Sequence, residues 1–242
     1  MTRGIILSAG LGRRMGELSA HTPKPLVRVA GRALLDRALD RTDEAGLDRV
    51  VVNVHHHADQ IEDHLASRIG AGQVVISHER DKLLDTGGGV KKALPLLGEH
   101  PFFTINSDAL WLDGAGSTLL RLASVFDADR MDALLLLIPT PEALGYDGVG
   151  DFIPFAGGMG PVPISFRGEA PAAPVMYGGI QMIVPSLYDS TPVGAWSNRL
   201  VFRKAADAGR LFGLVHDGHW MHVGTPEGVM DAEARLKELG AP

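Results

Sequence analysis

The sequence predicts an α/β protein built on a largely parallel sheet with helices on both faces. Three observations carry this. Short apolar runs alternate with amphipathic stretches through the first 138 residues. Glycines stop the helical stretches. The first apolar run breaks abruptly on the turn Ser8-Ala9-Gly10-Leu11-Gly12. Strands that alternate with helices pair in parallel, because each crossover helix returns the chain to the same end of the sheet. Ligands then collect outside the carboxyl ends of the strands.

In order, residues 5–7 (Ile5, Ile6, Leu7) read as a buried strand. Residues 34–45 carry apolar side chains at helical spacing and end at Gly46, a normal helix stop. Residues 50–54 are a β-branched strand. Residues 58–69 place Ile61, Leu65 and Ile69 on one helix face, with Gly70 following. Residues 74–76 form a third strand, 88–97 a helix opening on a glycine-rich turn, 102–105 a fourth strand, 118–126 a helix and 133–138 a fifth strand. From about residue 139 seven prolines up to Pro174 break the chain into short extended pieces. Residues 152–155 and 163–166 read as short strands in a lid-like insertion, and 176–184 as a strand interrupted by Gly178-Gly179. A helix over 198–208 and strands over 211–215 and 220–223 follow. A last helix runs to about residue 239, with Thr225 as its N-cap and Pro226 in its first turn. The whole reads as one domain: a core over 1–138, a second part over 139–215 and a closing strand and helix over 216–242.

Composition narrows the function classes. A net charge of −6 argues against a nucleic-acid partner, since such proteins carry a basic face, but leaves room for a locally basic pocket. The absence of cysteine removes disulfides, thiolate metal sites and thiol nucleophiles. The apolar residues before Gly10 are too few for a signal-peptide core. The longest apolar run, 133–138, is too short to cross a bilayer. A cytoplasmic protein with no membrane partner is therefore expected, and no coiled-coil pattern speaks to its oligomeric state.

The segment after the first strand points to a polyphosphate. Glycines allow a tight turn that aims N–H groups at an anion. Arg13, Arg14 and Lys24, the last held between Pro23 and Pro25, add cations. A Walker-type loop is set aside, because no Lys-Ser or Lys-Thr follows a glycine at the required spacing. A dinucleotide turn fits poorly: Gly10, Gly12 and Gly16 are spaced one residue too far, and a proline-containing stretch occupies the region where an acidic strand tip belongs. The plain alternative is a glycine turn flanked by solvated arginines.

The stretch SAGLGRRM followed by TPKPLVRVAGRALLD resembles the signature of the sugar-1-phosphate nucleotidylyltransferases. The likeness continues in order through VVVNVHHHADQIEDHL, LLDTGGGVKKALPLLG, FFTINSDAL, YGGIQMI and WMHVGTPE. Within that family it looks closest to the N-acetylmuramate-1-phosphate uridylyltransferases, with mannose- and heptose-1-phosphate guanylyltransferases as near neighbours. The resemblance implies a Rossmann-like three-layer α/β/α fold with a mostly parallel mixed sheet. It implies attack of a sugar 1-phosphate on the α-phosphorus of a nucleoside triphosphate, with Mg2+ as cofactor and Mn2+ as its substitute. The leading pair is UTP with N-acetylmuramate 1-phosphate, in cell-wall recycling, and the second is GTP with mannose 1-phosphate.

Residue by residue, it implies that Ala9, Gly10 and Gly12 wrap the triphosphate and that Arg14 takes the leaving phosphates. Lys24 neutralises charge at the α-phosphate or the incoming phosphate. Asp85, Thr86, Gly87, Gly88 and Asn106 belong to the nucleotide site. Thr86 is alternatively a helix cap, and Lys91 and Lys92 read as helix-surface residues. Asp151, Gly179 and Asn198 fall on the sugar side, near Tyr177, Trp196 and Arg199. Asp108, at the end of a buried strand, is the expected metal ligand. The family places a second aspartate where this sequence has His222. Imidazole suits Mn2+ better than Mg2+. Either His222 joins Asp108 at the metal with altered preference, or Asp108 holds it with phosphates and water, or activity is weak. Asp217 substitutes only if its turn folds back. The departure also leaves room for a non-catalytic sugar-nucleotide-binding regulatory protein. His55, His56 and His57 read as a loop, since consecutive strand residues face opposite sides.

Overall fold

A computed structural model describes residues 2–155, 157–158 and 160–241. In chain order its elements are β1 (Arg3–Leu7), β2 (Arg28–Val29), β3 (Arg32–Ala33), α1 (Leu34–Glu44), β4 (Arg49–Val54), α2 (Ala58–Gly70), β5 (Val74–His78), α3 (Asp85–Leu97), β6 (Phe102–Asn106) and β7 (Ala109–Leu112). They continue as α4 (Thr118–Val125), β8 (Ala133–Pro139), β9 (Phe152–Pro154), β10 (Val162–Phe166), β11 (Val175–Ile183), α5 (Arg199–Asp207), β12 (Leu211–Val215), β13 (His219–His222) and α6 (Pro226–Leu239).

Nine strands form one sheet in the order β5-β4-β1-β6-β11-β8-β12-β10-β9. β10 and β11 run against the other strands, so the sheet is mixed but mostly parallel. The chain leaves β1 toward β4 and β5, then returns through α3 to β6 on β1's other side. This reversal opens a crevice at the strand ends. Leu7 stands level with Asn53 of β4 and Asn106 of β6, so three strands finish together and hand their polar end residues to that crevice.

Each face of the sheet buries its own core. Ile6, Val50 and Val52 pack with Leu35 and Leu39 of α1, Ile61 and Leu65 of α2, and Leu122 of α4. Ile5 and Val51 face the other way, with Val90 and Ala93 of α3 and Val201 and Phe202 of α5. The alternation of Val50, Val51 and Val52 between two cores is the period of two that a doubly covered strand requires. β8 is wholly buried from Ala133 to Leu137, as an apolar run between two neighbouring strands should be. β11 and β12, both from the 139–215 stretch, lie inside this sheet, so that stretch supplies scaffold as well as loops. A third, smaller core joins Met15, Val27, Leu34 and Leu110 to Met221, Val223 and Leu236.

α3 and the short strands β2, β3 and β7 differ from the sequence reading. α3 begins at Asp85, three residues earlier than its glycines imply, because a loop carbonyl caps its first donors (below). β7 has no counterpart in the sequence reading, which assigns no element to 109–112; these residues pair antiparallel with β13 as a separate ribbon. α6 forms as its cap foretells, with the Thr225 Oγ1 accepting the Gly228 N–H.

The Leu135 side chain is fully buried in the centre of β8. Leu135→Ala is expected to cost about 3 kcal/mol, as a cavity the sheet cannot close, measured by chemical denaturation.

Candidate active site

A cleft of about 670 Å3 opens where β1, β4 and β6 end. Its walls bring together Ala9, Gly10, Gly12, Arg14, Lys24, Asp85, Thr86, Asn106 and Asp108. Gly12 stands at a positive φ of 63°, and a Cβ there would press on the Lys24 and Ser19 side chains at 3.1 and 3.2 Å. The position thus serves a left-handed turn and a close approach at once. Gly10 has no neighbour within 4 Å of a would-be Cβ, so its bareness keeps the cleft open. The Ser19 hydroxyl donates to the Gly12 carbonyl at 2.9 Å, and the fully buried Met15 anchors the loop from behind.

Lys24 follows Pro23 into a single 3-10 turn, which sets its ammonium 2.7 Å from Asp108 Oδ2. Both side chains are largely buried. Burial alone would push the Asp108 carboxyl up, but the charges of Lys24 and then His222 outweigh it and hold the group below its ordinary 3.8. His222 closes β13 opposite Ala109, and the Val223 N–H donates to the Asp108 carbonyl at 3.0 Å. The β7–β13 ribbon therefore sets His222 beside Asp108. His222 Nε2 lies 3.4 Å from the Arg14 guanidinium, within reach to accept from it. Burial is the main reason the His222 ring is pushed below 6.5; Asp108 opposes this, while Lys24 and Arg14 add to it. A neutral ring is what accepting from Arg14 requires.

The donor set fits a hard cation sparingly. Among the described residues no group of three His, Cys, Asp or Glu side chains is arranged to hold a metal. Asp108 faces a cleft with room for phosphate oxygens and water, which is how Mg2+ is commonly held. Asp217 does not substitute: it pairs with Arg121 and accepts the Ala115 N–H, beyond the opposite end of the ribbon from His222.

Several expected residues lie off the cleft wall, for stated reasons. Gly87 and Gly88 are two of them. Their N–H groups donate to the Trp196 carbonyl at 2.8 and 3.1 Å. A Cβ on Gly87 would lie 2.2 Å from the Trp196 ring, and one on Gly88 2.1 Å from the Gly194 carbonyl oxygen. These glycines admit a packed loop rather than a flat base, and the same carbonyl occupies the helix donors that a phosphate would need. Thr86 does not cap the helix; its hydroxyl accepts the Asn198 N–H at 2.9 Å. Asn198 is 5% exposed and its Oδ1 accepts the Tyr188 hydroxyl, so it braces the wall from behind. Asp151 accepts the Tyr177 N–H and faces Arg199, whose guanidinium also covers the Phe166 ring. Gly179 sits at a bulge in β11, with a would-be Cβ 3.1 Å from Asn106, and backs that cleft residue. His55, His56 and His57 form the turn before α2, with His55 Nδ1 bonded to the Glu79 carbonyl. Lys91 and Lys92 are not idle surface charges; they reach the Thr191 and His78 carbonyls.

The cleft also contains residues the sequence reading passed over. Arg13, an exposed residue, lines its rim. Ser8, Asn53, Ser107 and Ala195 line it as well. Asn53 had a signal, being a lone amide within the apolar run VVVNV; Ala195 had none.

Comparison with known proteins bears directly on this site. A family model described as a MobA-like NTP transferase domain matches residues 4–141, which contain the loop, Lys24 and Asp108. The chain belongs to the MobA-like NTP transferase family. Among its relatives is the N-acetylmuramate alpha-1-phosphate uridylyltransferase of Caulobacter vibrioides, 42% identical over 97% of this chain and 96% of that protein. The protein of the same name from Neisseria meningitidis is 32% identical over 96% and 97%. A crystal structure of a UDP-glucose pyrophosphorylase complexed with UDP-glucose superposes with a TM-score of 0.79 over 99% of each chain, at 17% identity, and so shares the family's fold. No described helix is long and apolar enough to cross a membrane.

Burial also lowers His216, on β13's flank, below 6.5. The unfolded chain therefore takes up protons at His216 and His222 before the folded one does. Stability is full above 6.5 and is lost as pH falls through that value toward the lowered folded ones. Calorimetry is expected to give a lower Tm at about pH 5.5 than at about pH 7.5, with a smaller difference in His216→Asn.

Proposed function

We propose that this protein is a sugar-1-phosphate nucleotidyltransferase that moves the uridylyl group of UTP onto N-acetylmuramate 1-phosphate and releases pyrophosphate. The observation that carries the reading is the Lys24–Asp108 pair, facing a glycine-lined loop in one cleft of a chain with 42% identity to such an enzyme.

The chemistry asks for positioning more than for bond-making groups. The attacking phosphate oxygen is already an anion at neutral pH, so no general base is needed. The difficulty is to bring two polyanions into line. Gly10 and Gly12 leave the loop backbone accessible to the triphosphate. Arg14 offers a planar two-pronged donor to the leaving phosphates, and His222 steadies it from the side. Lys24 supplies positive charge that offsets the negative charge gathering on the α-phosphoryl oxygens. Asp108 would hold Mg2+ with phosphate oxygens, and the cation supplies further charge neutralisation there. Asp85, Thr86 and Ala195 wall the end of the cleft where the base lies. The 139–215 stretch, with Asp151, Gly179 and Asn198, shapes the sugar side through Asn106 and the loop before α5.

Pyrophosphate release with Mg2+ and a panel of triphosphates and sugar phosphates tests this reading. UTP with N-acetylmuramate 1-phosphate is expected to give the highest kcat/KM, above GTP with mannose 1-phosphate. Binding of nucleotide without turnover for any pair would instead mark a regulatory binding protein. Asp108→Asn is expected to lower kcat about a thousandfold, on the scale of losing one electrostatic stabiliser. His222→Asp adds a hard oxygen beside Asp108 and is expected to raise the Mg2+-dependent rate relative to the Mn2+-dependent one.

A further inference from the structure

Glu79 is a carboxylate with no part in the chemistry above. It follows β5, is 1% exposed, and does not line the cleft. Its two oxygens are divided. Oε1 accepts from the Asn53 amide nitrogen at 2.7 Å, and Oε2 accepts the Leu84 N–H at 2.8 Å. The other end of the Asn53 amide, Oδ1, accepts the Ser8 N–H at 2.7 Å. Ser8 is the first residue of the loop that wraps the cleft, and Leu84 immediately precedes the wall residues Asp85 and Thr86. A Cβ on Gly89 of α3 would lie 2.6 Å from Glu79 Oε1 and 2.9 Å from Asn53 Nδ2, so the third glycine of the run is the one that admits this bridge.

Resting on the reading of the cleft as a nucleotide site, we infer that Glu79 is a positioning residue for the nucleotide. Through Asn53 it fixes the loop at the phosphate end, and through Leu84 it fixes the wall at the base end. The polarity of the relay is unique. Ser8 and Leu84 can only donate, so Asn53 must turn its oxygen to Ser8 and its amide nitrogen to an acceptor at position 79. A glutamine at 79 sets two donors against each other in every amide orientation. An aspartate at 53 sets two carboxylates face to face. Both changes together restore all three hydrogen bonds, with donor and acceptor exchanged at the middle one. A half-satisfied buried network costs more than either complete one.

The test measures KM for UTP, KM for the sugar 1-phosphate, kcat and Tm in wild type, Glu79→Gln, Asn53→Asp and the double variant. Each single variant is expected to raise KM for UTP about tenfold, on the scale of one unsatisfied buried group. KM for the sugar phosphate should move less than about twofold, and the double variant, which restores the bonds but carries its carboxylate at a cleft-lining position, should show a KM for UTP well below that of Asn53→Asp. A fall in Tm with both KM values unchanged would overturn the inference and leave Glu79 a structural residue only. A folded double variant no better than Asn53→Asp would overturn it too, as would a double variant that does not fold. If a single variant fails to fold, the double variant decides alone. Wild-type protein that binds no UTP by calorimetry would instead remove the nucleotide reading on which the inference rests.

Discussion

The site depends on one constraint: three parallel strands must finish level. β1 pairs with β4 on one side and β6 on the other, and Leu7 aligns with both Asn53 and Asn106. A slip of one residue would turn the core side chains of a strand toward the opposite layer, which two fully packed faces forbid. The register is thus held by the aliphatic cores and paid out as geometry at the strand tips. Asp108 can meet Lys24 only because β6 ends beside the loop that leaves β1. Those two charges are far apart in sequence and largely buried, so each needs the other or a ligand of comparable charge.

Much of this was legible in the chain itself. The alternation of apolar runs and amphipathic stretches contained the layers, because a period of two and a period of 3.6 are written directly into residue order. The loop, Lys24 and Asp108 were legible because glycines, a proline-flanked lysine and a carboxylate at the end of an apolar run are each anomalous locally. Position 222 was legible as a departure, and the structure shows His222 between Asp108 and Arg14. What escaped was anything decided by a partner distant in sequence. The glycines of α3 look like a ligand cradle until Trp196, Gly194 and Glu79 are seen to fill the space beside them. Asn198, read as a sugar-side residue, gives its side-chain oxygen to Tyr188 and its backbone N–H to Thr86. β7 is invisible without β13.

The three consecutive glycines show how a packing requirement can imitate a binding motif. Gly87 yields to a ring and Gly88 to a carbonyl of the same loop, and Gly89 to a carboxylate, so one turn of helix touches two separate segments with no side chain of its own. The helix tolerates this despite a propensity cost of about 1 kcal/mol per glycine, because tertiary bonds to Trp196 begin it early. The outcome is a rigid far wall for the cleft, assembled from residues about a hundred positions apart.

The small core beneath the loop has a temporal meaning. Met15 is sealed by side chains that include Met221, Val223 and Leu236, the last of them on α6. During synthesis the amino-terminal strands leave the ribosome long before that helix exists. A nascent chain could assemble β1, β4 and β6 and still lack the clasp behind the loop that follows β1. The loop after β1 therefore gains its backing only once α6 has docked.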